Sequence, residues 1–195
     1  MYELKPSVVL SRVPDMLNIA SSEAKLSRIW ELREVEYSKL YPDVTSFQDD
    51  VYDQDACVLY GENGEGEVIS TGRVAFDGDA GLPSDELIKP VVDQVRASGK
   101  VIAEPSKFAI SREAQGALPS YMLTYYELGI GHGIDSLVFI CRSKSNRFYQ
   151  RVVGAQVLLE DIGYSYGTNE RFSFLEWDIA RSKPFLSKYI GGTLP

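Results

Sequence analysis

The chain has one histidine and two cysteines in 195 residues, and none of its apolar runs approaches the ~20 residues that a membrane-crossing helix requires. His132 alone supplies a zinc site poorly, and its place in the stretch Gly129 to Gly133 marks it as a turn residue, so no metal is expected. Cys57 and Cys141 each lie inside an apolar run, which excludes a disulfide framework or a cysteine-held metal and makes both small core residues. Met1 to Pro14 lacks a signal-peptide core, so the expected location is the cytoplasm, with no membrane span. Positive charge is also scarce: 20 Lys and Arg against 28 Asp and Glu give a net charge of -8. A chain this acidic repels phosphate backbones, and nucleic acid is excluded as a partner. The exception is a basic cluster after Cys141, where Arg142, Lys144, Arg147 and Arg151 stand with no acidic residue among them, leaving room for a local anionic ligand.

What is present fits one hydrophobic core, and residues 1–195 read as a single domain. Val8 to Leu10 is a short strand. Helical spacing over Ser22 to Leu40 places Ile29, Leu32, Val35 and Leu40 on one face, with Ser21 or Ser22 as cap. After an aspartate-rich loop from Tyr41 to Asp55, Ala56 to Tyr60 and Val68 to Phe76 form a hairpin. A helix over Ser84 to Ala97, kinked or restarted at Pro90, precedes a strand over Val101 to Ile110. The remaining elements are a helix over Pro119 to Leu128, a strand over Leu137 to Cys141, a helix from Ser145 to Val153 stopped by Gly154, and strands over Ala155 to Leu159 and Phe172 to Ile179. The order is mixed α/β, of the α+β kind, with a mixed sheet flanked by helices.

Three groups of residues carry chemistry. Glu104 is a carboxylate embedded in an apolar strand, where desolvation raises its pKa and suits it to act as a base; an ion pair with Lys107 or Arg73 is the other reading. Pro105 beside it has no backbone N–H, so this strand cannot pair fully with both neighbours and the sheet splays at its centre. Arg33 and Tyr37, four apart, share a helix face, and Asp50, Asp53 and Arg73 offer a charge-paired cluster able to order the aspartate-rich loop. From residue types alone, an ordinary surface network is the alternative.

These residues fall into a pattern. Arg33 and Tyr37 match R-x-x-x-F/Y, Asp50 to Asp53 matches D-x-F/Y-D, Thr71 to Val74 matches the G-x-x-R-L type of strand, and Glu104 to Phe108 matches E-x-S-R-F with Lys107 in place of arginine. Ser145 to Ala155, containing Asn146 and Phe148-Tyr149, is similar to the N-x-x-x-F-Y-x-x-x-G-F region of GNAT enzymes. Together they resemble the N-acyl amino acid synthases of the GNAT superfamily, relatives of the autoinducer synthases. The resemblance implies a GNAT fold whose sheet parts at the Val101 to Ile110 strand, and transfer of a long-chain fatty acyl group from an acyl carrier protein thioester to the amine of an amino acid, such as tyrosine. It assigns Glu104 as base and Tyr149 as acid, and Arg33, Tyr37, Asp50, Asp53, Arg73, Ser106 and Lys107 to the acceptor. Phe108, Ile110, Arg112, Gly116, Ala117, Asn146, Arg147 and Arg151 fall to the acyl donor. No bound cofactor is implied; the co-substrate is a thioester on the phosphopantetheine of a carrier protein or on coenzyme A. The degenerate Arg112 to Ala117 loop favours the carrier, and Lys144, Arg147 and Arg151 would form its docking face. An acyl-CoA-dependent small-molecule acetyltransferase, an autoinducer synthase and a non-catalytic binding protein of the same fold are the alternatives.

Overall fold

The computed structural model describes residues 17–41, 51–53, 56–163, 170–192 and 194. The expected strand at Val8 to Leu10, and Asp50, lie outside them. The first described strand is β1 (Asn18–Ile19), followed by α1 (Glu23–Ser38), a 3-10 turn at Val51–Asp53, β2 (Ala56–Glu62) and β3 (Val68–Phe76). Then come α2 (Asp85–Ala97), β4 (Ile102–Ile110), α3 (Leu118–Gly131), β5 (Ser136–Arg142), α4 (Asn146–Val153), β6 (Gln156–Ile162), β7 (Phe172–Asp178) and α5 (Ile179–Ile190). The strands form one sheet in the order β1-β2-β3-β4-β5-β7-β6, antiparallel throughout except for the parallel pair β4 and β5. Among the described residues no helix is long and apolar enough to cross a membrane.

Alternation along the strands divides the core in two. Val74, Ala103, Leu137 and Trp177 face α3, α4 and α5, whereas Ala75, Ile102, Val138 and Phe174 face α2, with Tyr37 of α1 packed on the same side. Local chemistry sets the helix limits. Ser22 caps α1, its hydroxyl accepting from the Lys25 N–H at 3.3 Å, and Gly154 ends α4 at φ 68°, a left-handed conformation open to glycine without steric cost. In α2 the helix breaks at Ile88 (φ -139°), two residues before Pro90, whose ring crowds the carbonyl of the preceding turn.

Three expectations need correction. In α1 the buried residues are Ile29, Leu32 and Arg33, while Val35 and Leu40 are exposed. The inward stripe runs through Arg33 because a buried carboxylate, not an apolar surface, lies beneath it. Helix α5 was not expected after the last strand. Its exposed Pro184 disguises a helix that seats Ile179, Ser182 and Leu186 on the sheet. Cys57 is a buried core residue, but Cys141 is only partly buried and borders a cavity. His132 is the C-cap of α3, with its ring 4.7 Å from that of Phe76.

Candidate active site

Strand alternation sends Glu104 to the same face as Ile102, under the start of α2, where it is 4% exposed. There it meets Ser84, the N-cap of α2, whose backbone N–H and hydroxyl both donate to Oε2 of Glu104, at 2.9 and 2.6 Å. Neither Lys107 nor Arg73 supplies the direct partner. Burial pushes the Glu104 carboxyl up to about 7, against the opposing pull of the two Ser84 donors and the positive field of Arg73. A carboxyl titrating there exists in both protonation states near neutrality, as a general base requires. The turn that presents Ser84 is itself anchored. Asp85 accepts from the Leu82 N–H at 2.7 Å, and Arg96 clamps Asp85 and Asp77 at 2.6 and 2.7 Å.

Beside this pair, Asp53 is enclosed by two guanidinium groups. Arg33 Nη1 donates to Oδ2, Arg73 Nη1 to Oδ1 at 3.1 Å, and the Trp30 indole N–H to Oδ2 at 2.8 Å. Arg73 Nε also reaches Ser106 Oγ at 3.0 Å. The three charges lie in the interior: Arg33 and Arg73 are fully buried and Asp53 nearly so. The arrangement ties α1, the 3-10 turn, β3 and β4 together, so it is a buried network and not a surface one.

The sheet parts next to Glu104. β4 and β5 pair only at Ile102↔Ser136 and Ala103↔Leu137, while β4 remains paired to β3 as far as Ile110. Pro105 follows directly and has no N–H to offer β5. The β3–β4 register then shifts between Thr71 and Arg73, with Lys107 at φ 52° and the Tyr37 hydroxyl donating to the Phe108 carbonyl at 3.2 Å. Such a bulge bends its strand locally. A cavity of about 670 Å³ is lined by Ser84, Glu104 and Tyr52 on the α2 face and by Met122, Tyr125 and Trp177 on the α3 face, so it must pass through the parting.

Of the residues expected at the site, Glu104, Tyr37, Arg73 and Ser106 border this cavity, as do Lys107, Phe108 and Tyr149. The Tyr149 ring stands edge-on to Phe139 at 4.9 Å, and burial holds its hydroxyl far above the usual tyrosine range. Arg33 and Asp53 stand off the wall and connect to it through Arg73. Asn146 is turned to Ser173, donating to its hydroxyl at 3.0 Å, and also lies off the wall, as do Ile110, Arg112, Gly116 and Ala117. Arg147 and Arg151 are exposed on α4; Lys144, also exposed, pairs with Glu170 at 2.6 Å. Sequence reasoning missed Ser84, Tyr125 and Arg142. Arg142 borders the cavity with its guanidinium over the Tyr41 ring at 5.5 Å; its place in the basic cluster was the one signal available.

The mixed sheet, parted between β4 and β5 and flanked by helices, is a GNAT-like fold. A family model described as N-acyl amino acid synthase FeeM matches residues 29–173, and the chain belongs to this family of N-acyltransferases. The fold is similar to that of FeeM, an N-acyl amino acid synthase from uncultured soil microbes (20% identity, 89% of this chain and 95% of that one, TM-score 0.70). It is also similar to the AHL synthase LasI (17%, 92% and 96%, TM-score 0.66). A third likeness is to the CoA-dependent acyl-homoserine lactone synthase BjaI (19%, 91% and 90%, TM-score 0.63). A search of curated proteins gives no match.

Proposed function

We propose that the protein forms an amide between a long-chain fatty acyl group, delivered as a carrier-protein thioester, and the amino group of an amino acid. The observation that carries this is the lining of the cavity: a polar end at Glu104 and Ser84 is joined through the parted sheet to an apolar end under α3. Such a space suits an amphiphilic product, with the chain among Met122, Phe139 and Trp177 and the head group at the polar end. Glu104, directly or through water, takes a proton from the amine; nitrogen attacks the thioester carbon while a β4 backbone N–H polarises the carbonyl. Collapse of the tetrahedral intermediate breaks the C–S bond, and Tyr149 protonates the departing thiolate.

On the cavity wall, Arg73 and Arg142 offer partners to the acceptor carboxylate, and the rings of Tyr37, Tyr41 and Tyr52 offer surfaces to an aromatic side chain. Tyrosine is therefore the first acceptor to test. Carrier protein is favoured over coenzyme A as donor because a 3-10 turn, Arg112–Ala114, stands ahead of α3 where a nucleotide pyrophosphate would need a cradle of helix N–H groups. The test is mass spectrometry of lipids from a bacterium expressing the protein, followed by rate measurements with acyl carrier and acyl-CoA donors. New N-acyl amino acids are expected. Short acetylated amines, or lactones, in place of these products would overturn the reading.

A further inference from the structure

The acyl-transfer reading leaves the broken course of α2 and its acidic start unexplained. Arg96, in the last turn of α2, spends all five guanidinium N–H groups on three carboxylates. It grips Asp85 at both oxygens, Nη1 to Oδ1 at 2.7 Å and Nη2 to Oδ2 at 2.6 Å. Asp77 is held in the same bidentate way, by Nε and Nη2 at 2.7 Å each, and Nη1 also donates to Asp93 at 2.7 Å. Asp77 follows β3 directly, so the clamp fastens the start of α2 to the sheet. Asp85 and Arg96 are eleven residues apart, about 16 Å along a straight helix and beyond the reach of these side chains. The break at Ile88 removes that separation and makes the contact possible. Space is also kept for the Asp85 carboxylate: a Cβ on residue 81 would stand 2.6 Å from its Oδ2, and residue 81 is glycine at φ 71°.

We infer, resting on the acyl-transfer reading, that Arg96 is a positioning residue for the base: its clamp on Asp85 holds Ser84 against Glu104 and balances the charge that Asp85 brings beside it. Asp85 closes the turn by accepting from the Leu82 N–H at 2.7 Å, and the next residue back, Ser84, then directs its N–H and hydroxyl to Glu104 Oε2. An Asp85 carboxylate without its cation would repel the carboxylate form of Glu104. The titratable groups on the elements packed around Glu104 are Arg73 of β3, Tyr52 and Asp53 of the 3-10 turn, Asp85 and Glu86 of α2, and Arg142 of β5. Burial raises the Glu104 carboxyl most; Ser84 and Arg73 lower it, and Asp85 raises it further. Against burial, Arg96 and the Leu82 N–H hold the Asp85 carboxyl below its usual range, so Asp85 is charged wherever the base titrates. Arg96 itself stands off the cavity wall and acts only through Ser84 and Asp85.

Arg96→Gln and Asp85→Asn should move the rising acid limb of the pH–rate profile in opposite directions. The first leaves Asp85 charged and its turn loosened, so the limb should rise by roughly 1 pH unit; the rate at neutrality then drops about fivefold and returns at high pH. The second removes a negative charge, while an amide oxygen still serves the Leu82 N–H and Arg96 stays on Asp77 and Asp93, so the limb should fall. The profile is measured with an S-dodecanoyl-pantetheine donor and tyrosine. A readout free of turnover is the infrared carboxyl band of Glu104, identified as the band absent from Glu104→Gln; its midpoint should move with each limb. Limbs and midpoints that stay in place in both variants, or move the same way, overturn the proposal and leave acyl transfer intact. If Arg96→Gln does not fold, Asp85→Asn decides alone, and a limb and midpoint that do not fall overturn the proposal. A wild type that turns over no amine, with midpoints that still part, overturns acyl transfer and the role of a base together, and leaves only the coupling of Arg96 to Glu104.

Discussion

Replacing Ser84 with alanine perturbs the candidate base without touching it. Glu104 Oε2 receives the Ser84 hydroxyl at 2.6 Å and the Ser84 backbone N–H at 2.9 Å, and only the first is lost. A hydrogen bond to a charged group contributes roughly 1.5–3 kcal/mol, and a pKa unit corresponds to about 1.4 kcal/mol. Since the hydroxyl favours the carboxylate, its removal should carry the Glu104 pKa from about 7 to about 8 or 9. A base must be deprotonated to work, so the rising acid limb of the pH–rate profile moves upward by the same amount. At neutrality the rate should drop about fivefold to fiftyfold, and at high pH it should recover toward that of the wild type. The assay is initial thiol release from an acyl-pantetheine donor with a fixed amino acid acceptor, followed across the profile. A limb that stays in place while the rate drops equally at every pH would refute the reasoning, because it would mean that Ser84 supports the fold and not the titration of Glu104.

Glu104→Gln should lower turnover by ~10²–10⁴-fold. The same change should stabilise the protein by about 3 kcal/mol at pH 8 with no gain below pH 4.5, because a carboxyl raised from 4.5 to about 7 withdraws stability as pH climbs through that interval; urea denaturation at several pH values measures it. Asp53→Asn removes the buried carboxylate charge that Arg33 and Arg73 share and should cost about 3–5 kcal/mol in the same assay; a loss under about 1 kcal/mol would show that water reaches the cluster. Arg147→Glu with Arg151→Glu should slow transfer from a carrier-protein donor, more at low salt than at high, and spare acyl-pantetheine; equal losses on both would remove α4 as a docking face.

The parting of the sheet was legible in the sequence because its cause is local: a proline in an apolar strand lacks an N–H wherever the fold places it. The hairpin, the Gly154 stop and the Ser22 cap were legible for the same reason. The Glu104–Ser84 contact was not, since it joins a mid-strand side chain to a helix start 20 residues away through tertiary packing alone. α1 was misread because its inward face carries Arg33, and a hydrophobic pattern cannot anticipate a guanidinium that is buried by virtue of its partner Asp53.

The short pairing of β4 with β5 gives the sheet two free edges in its interior besides its outer rims at β1 and β6. An exposed edge is a template onto which another polypeptide strand adds, and proteins commonly blunt it with charge or a covering loop. Here α2 packs on one face of the sheet and α3 on the other. An incoming strand would have to seat its side chains between these helices on both faces, so the helices cover the interior edges as a loop would, and a chain narrower than a polypeptide strand is less hindered.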